Sequence, residues 1–172
     1  SDLVVLSTHD RPLVAAFYGH TSFLDMIIGI TQNEKLPKPS RMLMKFPYPA
    51  ILPEWIKRRV VLIDPEKSNT DAVLKHKGEV ISMWIEGARH RMPWVRSGFY
   101  HIAMQMEADI AICFVNHHDK KFYTKIVPYG EYSKETILPM FGDFIGERNC
   151  AIYPKSVSCL KWRDGDGENG VV

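Results

Sequence analysis

Two short stretches of the chain bring together residue types that do chemistry. The first is Gly19-His20-Thr21-Ser22-Phe23-Leu24-Asp25, which sets an imidazole five positions before a carboxylate, after the apolar run PLVAAFY and before MIIGI. A His at a strand end, oriented by a carboxylate, is the general-base half of a catalytic triad. The carboxylate fixes the tautomer and stabilises the imidazolium as it forms. His20 and Asp25 are therefore candidate catalytic residues. The same stretch has a structural reading. Ser22 and Asp25 also fit a capping box, in which Asp25 merely starts a helix and favours the positive end of its dipole.

The second stretch is EGARHRMPWVRSG, residues 86 to 98. Arg89, Arg91 and Arg96 precede a helix start at Ser97-Gly98. Guanidinium groups beside a helix N-terminus suit a phosphate. The competing reading is a solvated loop with scattered arginines. A protein nucleophile is not in evidence: the sequence holds no G-x-S-x-G elbow. A base without a nucleophile points to a substrate hydroxyl as the attacking group, and so to direct transfer to an alcohol.

The elements that would position these residues follow from apolar patterning. LVAAFY (13–18), RRVVLID (58–64), EVISMWI (79–85), DIAICFVN (109–116) and FYTKIVPY (122–129) read as strands. Helical spacing marks Ser22 to about Gln32. Asn69 or Thr70 caps a helix DAVLKHK that Gly78 stops. Ser97 caps a helix whose apolar face is Phe99, Ile102, Ala103 and Met106. Ser133 caps a last helix, which Pro139 interrupts. HHDKK reads as a hairpin turn between the last two strands. Residues 33–53, rich in Pro, Met, Phe and Tyr, read as an irregular, sticky segment. Alternation of strands and helices predicts an α/β fold with a mixed, mainly parallel sheet, an antiparallel edge and flanking helices. Ligands of such sheets bind beyond the carboxyl ends of strands, and both His20 and Glu86 follow strand ends.

Composition sets bounds. At 172 residues, 45% hydrophobic and 24% charged, the chain reads as one globular domain over 1–163 with a disordered tail at 164–172. A net charge of +2 is too small to argue for nucleic acid. Three cysteines without metal-ligand spacing, one of them Cys113 inside ADIAICFV, predict a reducing, cytoplasmic compartment and no metal site. His117-His118-Asp119 reads as turn, and DGDGEN stops short of a calcium loop. SDLVVLSTHD lacks the basic start and long apolar segment of a signal peptide, and no apolar run reaches the roughly 18–20 residues of a membrane span. MLMKFPYPAILPEWIKRR (42–59) mixes apolar and aromatic residues with Lys57, Arg58 and Arg59, the composition of a peripheral contact with anionic lipid.

Taken together, His20-Thr-Ser-Phe-Leu-Asp25 and Glu86-Gly87-Ala88-Arg89 resemble the glycerolipid acyltransferase family, the group containing 1-acylglycerol-3-phosphate O-acyltransferase. That family carries a His, four residues and an Asp after a buried strand, and a Glu-Gly-Thr-Arg block after a later one. Trp94-Val-Arg96-Ser-Gly98-Phe-Tyr-His-Ile-Ala103 and FVNHHDKKFYTKIVPYGEY are similar to a subgroup of small bacterial-type members. The resemblance spans roughly residues 13 to 132. It implies a glycerol-3-phosphate acyltransferase-like fold, with His20 as base and Asp25 as its orienter. Glu86, Gly87 and Arg89 would position the acceptor phosphate, with Arg91 and Arg96 nearby. It implies acyl-CoA or acyl carrier protein as co-substrate rather than a bound cofactor, and a lysophospholipid acceptor. The chain departs from the family pattern at Gly19, Pro65, Ile85 and Ala88. Pro65 stands where an Arg is usual, which bears on the acceptor more than on the reaction. It also keeps open a lipid-binding or scaffold member that has lost turnover.

Asp25→Asn separates the two readings of the first stretch. Asn keeps a capping acceptor, whose complete loss costs about 0.5–2 kcal/mol, but removes the charge that supports an imidazolium. The expected result is a small change in urea midpoint with a large fall in turnover per folded molecule.

Overall fold

The computed structural model describes residues 5, 6, 8–18, 40–45, 53–63, 70–85, 94–116, 121–147 and 160–163. Its centre is β1 (Leu13–Tyr18), whose six residues are all buried. Odd and even positions of a strand face opposite ways, and the two faces of β1 enter two different clusters. Val14, Ala16 and Tyr18 join Ile81, Met83, Ile110, Ile112 and Phe114 on one side. Leu13, Ala15 and Phe17 join Leu6, Val80, Ala111 and Cys113 on the other. A strand covered on both faces has no use for polar alternation, which is why LVAAFY is a continuous apolar run.

Around β1 a six-stranded sheet runs in the order β3-β2-β4-β1-β6-β7. Its other strands are β2 (Ser40–Lys45), β3 (Val60–Ile63), β4 (Val80–Trp84), β6 (Asp109–Asn116) and β7 (Lys121–Val127). The pairings β1–β4, β1–β6, β2–β3 and β2–β4 are parallel, and β6–β7 is antiparallel. A second, two-stranded sheet pairs β5 (Trp94–Val95) with β8 (Lys161–Trp162). The helices among the described residues include α1 (Glu54–Lys57), α2 (Thr70–Leu74), α3 (Gly98–Met106) and α4 (Ile137–Glu147). This is the expected α/β architecture: a mostly parallel mixed sheet with an antiparallel edge, flanked by helices.

α3 buries the stripe read from its spacing, Phe99, Ile102, Ala103 and Met106, on the same face of the sheet as Ile137, Phe141, Phe144 and Ile145 of α4. Phe99 and Phe141 meet edge-on at 5.9 Å. Glu107 ends α3 in the left-handed region, at φ 49°, and its amide closes the last turn on Ala103 and Met104 carbonyls. Cys113, inside the apolar run of β6, is buried and receives a hydrogen bond from Thr124 Oγ1 at 3.6 Å.

Several expectations are corrected. Residues 40–45, read as irregular, form β2, the second strand from the edge. SRMLMK has no β-branched residue and no alternation, so its strand state comes from pairing with β3 and β4 rather than from local propensity. Met42 and Leu43, neighbours that face opposite ways, are both 6% exposed. The helix at DAVLKHK ends at Leu74 rather than at Gly78, because the chain tightens there into three-residue turns, His76 N–H to Val73 O and Lys77 N–H to Leu74 O. Pro139 does not interrupt the last helix. It is the third residue of α4, in the first turn, where a missing N–H costs no intrahelical bond. Ser133 closes the turn that leads into α4: its Oγ accepts the Thr136 amide at 3.2 Å, and Thr136 Oγ1 accepts the Ser133 amide at 2.8 Å. The predicted helix at 22–32, the 117–120 turn and the tail at 164–172 lie outside the described residues.

At the amino ends of β1 and β6 a buried carboxylate ties three segments together. Asp109, 2% exposed, receives His9 Nε2 at 2.7 Å, Arg11 Nε at 3.2 Å and the Tyr129 amide at 2.8 Å. Its own amide donates to Pro12 O at 2.9 Å. Next to it, the Tyr132 hydroxyl donates to Ala108 O at 2.7 Å, and burial first, then its phenol neighbours Tyr129 and Tyr100, push it far above its ordinary pKa, so it remains a donor. Burial pushes the Asp109 carboxyl up, but the Tyr129 amide, His9 and Arg11 outweigh it and hold the carboxyl below its ordinary range.

A carboxylate whose folded pKa is depressed stabilises the fold above its unfolded value, near pH 4, and loses that contribution as pH falls through the lower folded value. Asp109→Asn should lower stability by roughly 2–3 kcal/mol at neutral pH, because partners are left buried and unpaired. Urea titrations at several pH values check this: the midpoint falls, and the acid limb below about pH 4 becomes shallower than in the parent.

Candidate functional site

The carboxyl ends of β1 and β4 are neighbours. Phe17 pairs with Trp84, with ring centroids 5.4 Å apart, and the Ile85 amide donates to Phe17 O at 3.0 Å. Tyr18 is two residues before His20, and Ile85 immediately precedes Glu86. The two stretches singled out by their chemistry therefore leave adjacent strand ends. His20, Asp25, Glu86, Gly87, Arg89 and Arg91 themselves lie outside the described residues.

Arg96 is described, and it is half-buried against the same strand ends. Its amide donates to Ile85 O at 2.8 Å, which docks the Trp94–Ser97 segment onto the end of β4. On its other side this segment forms β5 and pairs with β8. The Arg163 amide donates to Val95 O at 2.9 Å, and Val95 is fully buried. The start of α3 is thus fixed from two directions: by the end of a central strand and by a strand from far along the sequence.

Trp162 of β8 strengthens the second attachment. It stacks on Phe99 with centroids 5.8 Å apart and 30° between planes, leans on Tyr100 at 6.4 Å, and donates Nε1–H to Lys134 O at 3.0 Å. Sequence reading placed residues 94 and 95 in a loop and gave 161–162 no structure. A two-residue strand carries no periodicity, so the only trace of this device was an isolated Trp near an otherwise polar end.

Ser97 departs from its expected role. Its backbone is helical, φ −80° and ψ −5°, and its side chain makes no capping bond. An N-cap Ser reaches the N2 or N3 amide from an extended backbone, and the helical backbone of Ser97 does not aim its hydroxyl there. Its carbonyl instead accepts Tyr100 N–H at 3.0 Å and His101 N–H at 3.2 Å. Ser97 is 1% exposed, and its Oγ has no hydrogen-bond partner among the described residues. His101 is half-buried on α3 and packs edge-on against Tyr100 at 5.5 Å.

A His–carboxylate pair does occur among the described residues, His9 with Asp109, but at the amino ends of the strands. Asp109 is committed there to Arg11 and the Tyr129 amide as well, so this pair is an architectural tie. Among the described residues, no group of three or more His, Cys, Asp and Glu side chains is arranged to hold a metal ion.

The described residues of the segment 42–59 fall into an inner group and an outer one. Met42 and Leu43 belong to the core and are withdrawn from any surface contact. Trp55, 37% exposed, and Arg58 are on the outside at α1, where Lys57 pairs with Glu54 at 2.8 Å. Among the described residues no helix is long and apolar enough to cross a membrane.

No protein-family model matches the chain, and no curated protein or solved structure does either.

Trp162→Phe keeps the stack on Phe99 and removes the indole donor to Lys134 O. The expected loss is about 1 kcal/mol of stability, the usual net worth of one such bond. Trp162→Ala should cost more, since it strips the cover from Phe99. Urea unfolding of both variants beside the parent checks the order.

Proposed function

We propose that the chain is an O-acyltransferase that moves an acyl group from a thioester donor, acyl-CoA or acyl carrier protein, to a hydroxyl of a phosphorylated glycerolipid acceptor, 1-acylglycerol 3-phosphate being the simplest. One observation carries the reading. The His-x4-Asp and Glu-Gly-Ala-Arg stretches, far apart in sequence, follow strands β1 and β4, whose carboxyl ends are hydrogen-bonded to each other through Ile85 N–H and Phe17 O. In a mainly parallel sheet that is the end at which ligands bind.

In this reading His20 accepts the proton of the acceptor hydroxyl, and Asp25 holds the imidazole and supports its positive charge. The oxygen attacks the thioester carbonyl. The C–O bond forms, the C–S bond breaks, and the departing thiolate takes the proton from His20. Glu86, Gly87 and Arg89 position the acceptor, with Arg91 and Arg96 adding positive charge for its phosphate. No bound cofactor takes part. The fold fits the glycerol-3-phosphate acyltransferase-like type at the level of a mostly parallel sheet with flanking helices. Contact with anionic lipid would fall to the outer part of the 42–59 segment, at Trp55, Arg58 and Arg59, on a chain working in the cytoplasm.

Thiol release from an acyl-CoA, with and without 1-acylglycerol 3-phosphate, tests the activity and separates it from a lipid-binding or scaffold role, which would give no acceptor-dependent release. General-base groups contribute about 10²–10⁴ in rate, so His20→Ala should lose most turnover and keep the parent's urea midpoint. Near-parental transfer by that variant would sink the mechanism. Arg89→Lys, not conservative at a bidentate site, should raise the apparent KM for a phosphorylated acceptor more than for a neutral one.

A further inference from the structure

We propose that the amino rim of the sheet, over β3, β2 and β4, is the face that lies on an anionic bilayer, so that the carboxyl rim points away from it. Lipid contact at Trp55, Arg58 and Arg59 rests on the reading above; the second element and the orientation are added here.

The patch forms where two turns meet. α1 and Arg58 lead into the amino end of β3, and the turn 75–79 leads into the amino end of β4. β2 begins between them, and its second residue, Arg41, joins the two. The Arg41 guanidinium donates to Arg58 O on one side and to the Glu79 carboxylate on the other. His76 Nδ1 lies 3.6 Å from the same carboxylate. Stretches separate in sequence thus present their cations on one surface.

Charge is unevenly divided along this rim. Arg41, residues 53–59 and residues 70–79 supply six cations, Arg41, Lys57, Arg58, Arg59, Lys75 and Lys77, against three carboxylates. Two of those carboxylates are already tied, Glu54 to Lys57 at 2.8 Å and Glu79 to Arg41. Arg58, Lys75 and Lys77 are exposed and make no ion pair among the described residues. Farther along the rim, before β1 and β6, Arg11 stands among Asp10, Glu107 and Asp109. Positive charge is therefore concentrated over β3, β2 and β4.

Exposed apolar side chains accompany the cations on both arms of the patch. Trp55, 37% exposed, precedes Arg58 by three residues on one helical turn, closed by Arg58 N–H to Glu54 O at 3.2 Å. Leu74, 36% exposed, adjoins Lys75 at the end of α2. A bilayer offers lipid phosphates and an apolar boundary together along its whole plane, which suits the same pairing on two arms. The orientation follows from topology, because the patch precedes the strands and Glu86 and Arg96 follow them. An acceptor drawn from this surface must leave it to reach the other rim, which a lipid with one chain does more readily than one with two.

Two tryptophans of nearly equal exposure mark the two rims: Trp55, and Trp94, 38% exposed, in the segment docked on Ile85 at the carboxyl end of β4. The full chain, without any thioester, should sediment with vesicles of phosphatidylcholine mixed with phosphatidylglycerol, release them on addition of salt, and ignore phosphatidylcholine alone. Lys75→Gln and Lys77→Gln should each weaken binding about fivefold at an unchanged urea midpoint, while Lys125→Gln, an exposed cation on β7 at the far edge of the sheet, should not. Brominated phosphatidylglycerol should quench the parent and Trp94→Phe, and should largely fail to quench Trp55→Phe. The reverse quenching pattern would put the carboxyl rim on the bilayer and overturn the proposal. So would equal binding to neutral vesicles, binding indifferent to Lys75 and Lys77, or salt-sensitive binding to polyaspartate without binding to vesicles, which would assign the patch to an acidic protein. Quenching of Trp55 in a protein that releases no thiol from acyl-CoA would support the orientation and count against acyl transfer alone.

Discussion

Everything described depends on β1 being enclosed on both faces and both edges. Its parallel partners β4 and β6 supply the backbone bonds, and two separate clusters take its alternate side chains. Such a strand has no solvent face, so it cannot slip by one residue without exchanging its two sets of side chains between two differently shaped halves of the core. Leu13, Ala15 and Phe17 are not interchangeable with Val14, Ala16 and Tyr18, because the second set shares its cluster with buried residues of α2, α3 and α4. The register of the central sheet follows from this, and with it the positions at which β1 and β4 end.

The two ends of the central strands have different physical characters. At the amino end every polar group of Asp109 is spent on holding segments together: Arg11 and His9 from before β1, and Tyr129 from beyond β7. At the carboxyl end, Ser97 Oγ is left over. In open α/β sheets ligands bind beyond the carboxyl ends of the strands. Among the described residues, a fully partnered carboxylate at one rim and an unpartnered hydroxyl at the other give the two ends different characters.

Legibility from sequence followed how local each element's cause is. β1, β4, β6 and β7 are apolar runs, and α3 has its stripe at helical spacing, so all five were readable within a few residues. β2 was not, because SRMLMK becomes a strand only when β3 and β4 lie beside it. β5 and β8 were invisible for the same reason in sharper form: two residues each, paired across most of the C-terminal half. At the site, residue types and their order were legible, and the meeting of two strand ends followed from the fold class. The state of Ser97 was not. A Ser before a helical stripe announces a cap, and only the backbone dihedrals reveal that the hydroxyl does not make one. Of the residues nominated for chemistry, Arg96 is the one within the described part of the chain.

The pairing of β5 with β8 also has a consequence in time. A chain leaves the ribosome from its amino end, so Trp94–Ser97 emerges long before Lys161–Trp162. Until the later residues arrive, Val95 O lacks its Arg163 partner and Phe99 lacks its indole cover. The central sheet can gather during synthesis, yet the start of α3 acquires its second anchor only afterwards. Contacts of such long sequence separation form late and slowly. A nascent chain would therefore carry an assembled sheet whose rim at α3 is completed only when β8 has been made.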